Sequence, residues 1–311
     1  MTDWRDEIER TVRGEIARDA PLAPRTAVRV GGAADLLVRP ADADALAALL
    51  RGVRALGVPL TILGGGANLL VADAGVRGAV VKLPQDLAPE SAEGETLVLN
   101  AGAPFARLAA RAHARGLVGI EFTAGIPGTL GGGVAMNAGT RVGEMKDVVS
   151  RVELATADGA GFVPAAALDL AYRSARIPAG AVVTRIEFRL RPGDRAASAA
   201  TMREDRERRA RTQPLDRPTF GSTFTNPPGD YAGRLVEAVG LKGHRVGNAM
   251  WSDVHANFVV NLGGARASDV IALMKLARSR VKERFGIVLE SEVRLAGEFS
   301  AEDVQELGVR P

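Results

Sequence analysis

Hydrophobic positions follow two periods along the chain, and the switches between them lay out the elements. From 43 to 56 the residues Leu46, Leu49, Leu50 and Val53 recur at helical spacing, with Asp42 ahead as a cap and Gly57 behind as a stop. A second helical stripe at 104–115 passes through Phe105, Leu108 and Ala112 and ends at Gly116. A third, at 268–285, carries Val270, Ile271, Met274, Ala277, Val281 and Phe285, with Ser268 as its expected cap and Gly286 as its end. A shorter helix is expected at 231–239. Alternation with period two marks strands at 148–156 and 182–190. In the latter, Ile186, Phe188 and Leu190 face one way and Arg185, Glu187 and Arg189 the other, as in a sheet with one wet face. Further strands are expected at 28–38 (interrupted at Gly31-Gly32), 58–63 (buried), 80–83, 96–100, 257–261 and 287–295. Alternation on the last puts Glu290, Glu292 and Arg294 on one face. Residues 1–25 read as a short helix plus a linker. There is no internal repeat, and the irregular mixture favours α+β over a strict βαβ winding.

The segment 195–211 is a charged helix and the best boundary between domains. Its pairs Glu204/Arg208, Asp205/Arg209 and Glu207/Arg211 are spaced i,i+4, the pattern of a solvated face rather than of a nucleic-acid surface. A Pro-rich stretch, 214–228, follows. At 311 residues the chain exceeds what one hydrophobic core usually serves. It contains no cysteine, which excludes disulfides, Cys-ligated metal and cysteinyl-linked cofactors. A net charge of +3 does not by itself suggest a nucleic-acid partner. No apolar run reaches the roughly 18 residues of a membrane span, and the first residues are too charged for a signal peptide, so a cytoplasmic protein is expected. The three histidines are not spaced as metal ligands. His113 reads as structural, and His255 as either site lining or fold.

Two glycine-rich segments carry the candidate chemistry. Gly64-Gly65-Gly66-Ala67-Asn68 directly follows the strand expected at 58–63, and Gly125-Ile126-Pro127-Gly128-Thr129-Leu130-Gly131-Gly132-Gly133 follows the helix at 104–115. Without Cβ atoms, such backbone lets N–H groups converge on an anion. A Rossmann fingerprint would need glycine where Leu69 stands, and a Walker loop would need Lys after Gly133 where Val134 stands. Each loop alone reads equally well as a turn without a ligand. Two of them so close together, both without charged residues, favour one extended ligand with a pyrophosphate.

The residues Thr61 to Val71, and Gly125-Ile126-Pro127-Gly128 through Met136-Asn137-Ala138-Gly139, resemble the two FAD loops of the UDP-N-acetylenolpyruvoylglucosamine reductase family. Arg29-Val30-Gly31-Gly32-Ala33-Ala34, Tyr172-Arg173, Gly221-Ser222-Thr223-Phe224, Gly240-Leu241-Lys242-Gly243, His255-Ala256-Asn257-Phe258 and Leu289-Glu290-Ser291-Glu292-Val293-Arg294 continue the resemblance in order, over about 25–297. It implies a two-lobed FAD-binding domain of the vanillyl-alcohol-oxidase type (lobes 1–76 and 77–205) and a C-terminal α+β substrate domain, 206–311. It implies non-covalent FAD, NADPH as co-substrate, a nucleotide-sugar substrate, and reduction of an enol ether. On this resemblance the FAD contacts are Gly64, Gly65, Gly66, Ala67, Asn68, Leu69, Thr123, Gly125, Ile126, Gly128, Thr129, Gly132, Asn137 and Gly139. Arg173 is the enolate-stabilising arginine, Ser222 the proton donor and Glu292 the catalytic glutamate, while Asn226 and Lys242 are candidates for the substrate's phosphates or sugar. No metal, nucleic acid or membrane is expected.

Ala67, Ala175, Thr225 and Arg141-Val142 depart from the family's usual residues, but none displaces a proposed catalytic group. The chain resembles the shorter family type, without the tyrosine-bearing loop. Two other readings compete: a different flavin oxidoreductase of the same superfamily, and a non-catalytic nucleotide-binding protein. The lack of Cys, and of His in either loop, argues against a tethered flavin.

Overall fold

The computed structural model describes residues 3–308. Its contacts divide the chain into two interleaved units. The first takes the described residues up to Arg18, Leu36–Gly65 and Gly78–Arg209; the second takes Asp19–Asp35, Gly66–Arg77 and the chain from Ala210 on.

In the first unit, a five-stranded antiparallel sheet orders Gly159–Pro164, Val149–Thr156, Val182–Arg189, Thr96–Asn100 and Ser91–Glu93. The expected alternation holds at its centre: Ile186, Phe188 and Leu190 are buried beside Leu97, Leu99 and Val152, while Arg185 and Glu187 reach the other face. There Arg185 pairs with Glu153 at 2.7 Å, and Arg151 and Arg185 both stack on Phe162. The helix Ala43–Ala55 starts where Asp42 Oδ1 accepts the Ala45 amide at 2.8 Å, and buries Leu46, Leu49, Leu50 and Val53.

Several expectations fail for identifiable reasons. The linker after the helix Trp4–Thr11 is a strand, Gly14–Pro21, at the edge of a four-stranded sheet that continues through Ala33–Pro40, Val76–Val81 and Leu60–Ile62. Only Ala20 of it is buried and Ile16 half-buried, so too few apolar positions mark an alternation. Leu60–Ile62 is short and not buried, with Ile62 46% exposed, because it too lies at a sheet edge. The strand expected at 28–38 begins only after the glycine pair, at Ala33. The charged helix Arg195–Thr212 is not a solvated face throughout. Asp205 is completely buried and bonds Arg208 at 2.9 Å, three residues on, with Arg141 Nε 3.6 Å away.

The second unit packs the helices Ala232–Ala238 and Ala267–Phe285 with a four-stranded sheet ordered Thr219–Ser222, Phe258–Asn261, Ala249–Trp251, Arg245–Val246. Trp251 and Phe224 meet at its core, ring centroids 5.8 Å apart. Val270, Ile271, Met274, Ala277 and Val281 face inward as expected, and Gly286 ends the long helix in the left-handed conformation. Its first turn is capped from afar: Asp73 accepts the Ala267 amide at 2.7 Å and the Ser268 amide at 3.2 Å, while the Ser268 hydroxyl donates to Asp73 instead of capping. The expected strand at 287–295 is hydrogen-bonded as a strand only at Arg294–Ala296, yet its alternation survives. Leu289, Ser291 and Val293 are buried, and Glu290 and Glu292 face outward. Arg278 donates to the carbonyls of Leu289 and Leu307, tying the last helix, Ala301–Leu307, to this segment.

The Asp73 cap carries a pH signature. Burial raises the carboxyl's pKa, but the amides of Ala267 and Ser268 outweigh it and hold the group below its ordinary 3.8. A lowered folded pKa means stabilisation that is present above the unfolded value and lost as pH falls through the folded one. Asp73→Ala is therefore expected to cost about 1–2 kcal/mol in urea unfolding at neutral pH. The deficit should shrink as the medium is acidified below the ordinary carboxylate value.

Candidate active site

The two glycine runs meet backbone to backbone. A Cβ on Gly65 would lie 2.4 Å from the Gly128 Cα, and one on Gly64 would lie 2.9 Å from Thr129 Oγ1. No residue larger than glycine fits at 65 without moving main chain. The three consecutive glycines of the second loop divide their labour. Cβ atoms on Gly131 and Gly133 would strike Ala101 and Phe105 at 2.9 and 2.5 Å, so these two serve packing, whereas Gly132 is exposed and meets only Thr129 Oγ1, at 3.5 Å. Gly125 and Gly128 both have positive φ, and Arg209 backs Gly125, its Nε 3.2 Å from where a Cβ would stand. That arginine was expected on a solvated face; burial instead lowers its pKa, with Asp205 opposing the shift. Gly64, Gly65, Gly128 and Gly132 therefore come together as closely packed main chain, with the Thr129 hydroxyl beside Gly64 and Gly132.

Other residues expected to contact the cofactor also make bonds within the protein. The Thr123 hydroxyl donates to the Ile120 carbonyl at 2.7 Å, and the Thr123 carbonyl accepts the Ile126 amide. Gly66 lies in the second unit against Arg25 and Thr26, where its carbonyl accepts the Ala27 amide. Ala67 and Leu69 are half-buried, and Leu69 pairs in register with Arg294. Asn68 Nδ2 donates to the Glu292 carbonyl at 2.8 Å, across 224 residues of sequence, and the Asn68 carbonyl accepts the Arg294 amide.

Ser222 and Glu292 belong to the second unit and share a short ladder. The Glu292 amide donates to the Thr223 carbonyl at 2.9 Å, the Thr225 amide donates to the Glu290 carbonyl at 3.0 Å, and Phe224 bridges to Ser291. Asn257 clamps the other edge: its carbonyl accepts the Thr223 amide, its Oδ1 the Phe224 amide, and its Nδ2 donates to the Phe224 carbonyl. Gly221, at φ 85°, coincides with a register shift between Thr219 and Ser222, a bulge directly before the half-buried Ser222. Thr225 is buried and its hydroxyl reaches the Glu290 carbonyl, which gives that departure a local role. His255 is half-buried and bonded into the fold: burial holds its pKa down, and Nδ1 accepts the Asn257 amide. Asn226 Oδ1 accepts the Ala232 amide at 3.0 Å, and Lys242 Nζ pairs with Glu237 at 3.1 Å.

Arg173 lies in the first unit, at the tip of a tight turn closed by Ala171 and Ser174, with φ 56°. Its Nη2 donates to the Gly139 carbonyl at 3.1 Å, and its guanidinium covers the Tyr172 ring at 4.8 Å. The sequence offered no sign of this tie between the second glycine loop and the arginine, nor of the tie between Asn68 and Glu292, because both run through main-chain carbonyls. Among the described residues, no cluster of His, Asp and Glu could hold a metal ion, and no helix is long and apolar enough to cross a membrane.

Residues 34–161, which include both glycine loops, match the family model described as an FAD binding domain, and the chain is an FAD-binding oxidoreductase. Residues 213–296 match the model for the C-terminal domain of UDP-N-acetylenolpyruvoylglucosamine reductase. The chain is 77% identical to the UDP-N-acetylenolpyruvoylglucosamine reductase of Anaeromyxobacter dehalogenans strain 2CP-C, over 97% of its own length and 92% of the relative's. It is 54% identical to that of Myxococcus xanthus strain DK1622, over 92% and 93%. The crystal structure of the reductase from Thermus caldophilus superposes with a TM-score of 0.78 at 37% identity, covering 91% of this chain and 99% of that one. The chain belongs to the UDP-N-acetylenolpyruvoylglucosamine reductase family.

Proposed function

We infer that this protein catalyses the NADPH-dependent, FAD-mediated reduction of UDP-N-acetylglucosamine enolpyruvate to UDP-N-acetylmuramate, a step of peptidoglycan precursor synthesis carried out in the cytoplasm. The observation that carries the reading is that, in a chain of this family, the glycine loops are hydrogen-bonded to the segments bearing the proposed catalytic residues: Gly139 to Arg173 in one unit, Asn68 to the Glu292 backbone in the other.

Bound FAD, once reduced by NADPH, supplies the hydride that the substrate's methylene carbon receives. The C=C π pair is thereby displaced toward the carboxylate, and the chain's residues manage the resulting charge and the second C–H bond. Arg173 supplies a guanidinium whose planar fork matches a carboxylate, so it stabilises the enolate. Ser222 Oγ delivers a proton to the carbon bearing the ether oxygen, which completes the saturated lactyl ether. Glu292, on the same ladder as Ser222, is the acidic partner that serves the proton balance of this step. Asn226 and Lys242 serve the nucleotide's phosphates or sugar. The Lys242–Glu237 pair is exposed, and exchanging it for a phosphate forfeits little, since such pairs contribute about 0–1 kcal/mol.

The test is a reoxidation experiment. Purified protein should carry a flavin released by denaturation, NADPH should bleach it, and UDP-N-acetylglucosamine enolpyruvate should restore the colour. A flavin that bleaches but is not reoxidised by this substrate sinks the reading.

A further inference from the structure

Asn137 sits in the second glycine loop, yet its side chain is turned to the protein. It is fully buried, with a left-handed backbone at φ 39°. Nδ2 donates to Glu144 Oε2 at 2.9 Å and to the Ala171 carbonyl at 3.1 Å, while Oδ1 accepts the Lys146 amide at 2.9 Å. The amide cannot be reversed: its oxygen would then face two acceptors. Ala171 is the base of the turn that carries Arg173, since the Ala171 amide donates to the Ser174 carbonyl and the Ser174 amide returns the bond, both at 3.0 Å. Two positions of one loop therefore hold this turn, Asn137 at its base and Gly139 at the guanidinium. The hold opposes a strain, because a non-glycine residue in the left-handed region costs about 1–2 kcal/mol and keeps that conformation only where its surroundings enforce it.

We propose that Asn137 is a positioning residue for Arg173: its carboxamide fixes the Ala171–Ser174 turn so that the guanidinium is oriented before the enolate forms. The inference rests on the role given to Arg173 above. It makes the second glycine loop serve both cofactor and arginine, the cofactor through its glycines and the arginine through Asn137 and Gly139. Asn137 itself touches no reacting atom.

A double-mutant cycle on the flavin-loaded enzyme tests this, with both half-reactions followed by flavin absorbance after rapid mixing. Asn137→Gly removes the amide while tolerating the positive φ. Asn137→Asp keeps the volume and the Lys146 bond but turns an acceptor toward Glu144 and Ala171. A shift of about 1 Å at a catalytic group costs up to about 100-fold. N137G is accordingly expected to slow reoxidation by the enolpyruvyl substrate at least about tenfold more than it slows reduction by NADPH. Added to Arg173→Lys, N137G should cause little further loss, because both changes act through one guanidinium. N137D should show the same split between half-reactions, which covers the case in which N137G folds poorly. Equal slowing of both half-reactions in these variants, or full multiplication of the N137G and R173K effects, overturns the proposal. If the unaltered enzyme is not reoxidised by the substrate, it is the functional reading that falls.

Discussion

Ser222→Ala is expected to slow reoxidation of the reduced flavin by UDP-N-acetylglucosamine enolpyruvate by about 10²–10⁴-fold, the usual worth of a positioned proton donor. Reduction by NADPH should change far less, because that half-reaction transfers no proton to the substrate's ether carbon. The variant is a clean probe. Ser222 is half-buried at the end of Thr219–Ser222, beside the bulge at Gly221, and the ladder beyond it is held by main-chain bonds of Thr223 and Asn257. Loss of one oxygen there leaves those main-chain bonds in place. Rapid mixing that shows both half-reactions slowed alike, or reoxidation unchanged, removes Ser222 from the role of donor.

Arg173→Met should be of similar size and different in kind. Removing one preorganised group that stabilises a developing oxyanion costs about 10²–10³-fold, and here a whole cation is lost. The methionine stem retains packing over Tyr172 but surrenders the bond to the Gly139 carbonyl. R173K should fall between R173M and the unaltered enzyme, since it keeps the charge and loses the planar fork. Because the cation acts on the carboxylate before and after hydride arrives, R173M should also weaken substrate binding, which S222A should not. Titrating reoxidation rate against substrate concentration separates these. A normal half-saturation in R173M together with a normal rate would take the enolate away from this residue.

How much of this was legible in the sequence depends on whether the informative contact is local. The helix Ala43–Ala55 and the strand Val182–Arg189 were readable because a cap and a period lie within a few residues of what they control. The strand Gly14–Pro21 was not, being a mostly exposed edge strand. Asp205 was misread for a related reason. An i,i+4 partner is visible in sequence, whereas burial and a bond to Arg141, 64 residues earlier, are not. The segment 287–293 keeps a strand's alternation without a continuous ladder, so Glu292 was placed on the correct face although the pairing expected there is largely missing. At the site, motif order pointed to the two glycine loops and named the catalytic candidates. The asparagine links escaped notice because a main-chain carbonyl has no letter of its own.

That anonymity sets unequal terms for sequence drift at the two ends of each link. Asn68 and Asn137 each supply a specific amide, but they deliver it to the carbonyls of Glu292 and Ala171, which every amino acid possesses. Ala171 is therefore free to vary within what its turn admits, while Asn137 is not. At Glu292 the chemistry and the anchorage separate: changing the side chain to glutamine deletes the acid and leaves the tether to Asn68 intact, so the carboxylate can be exchanged without unmooring the strand that presents it.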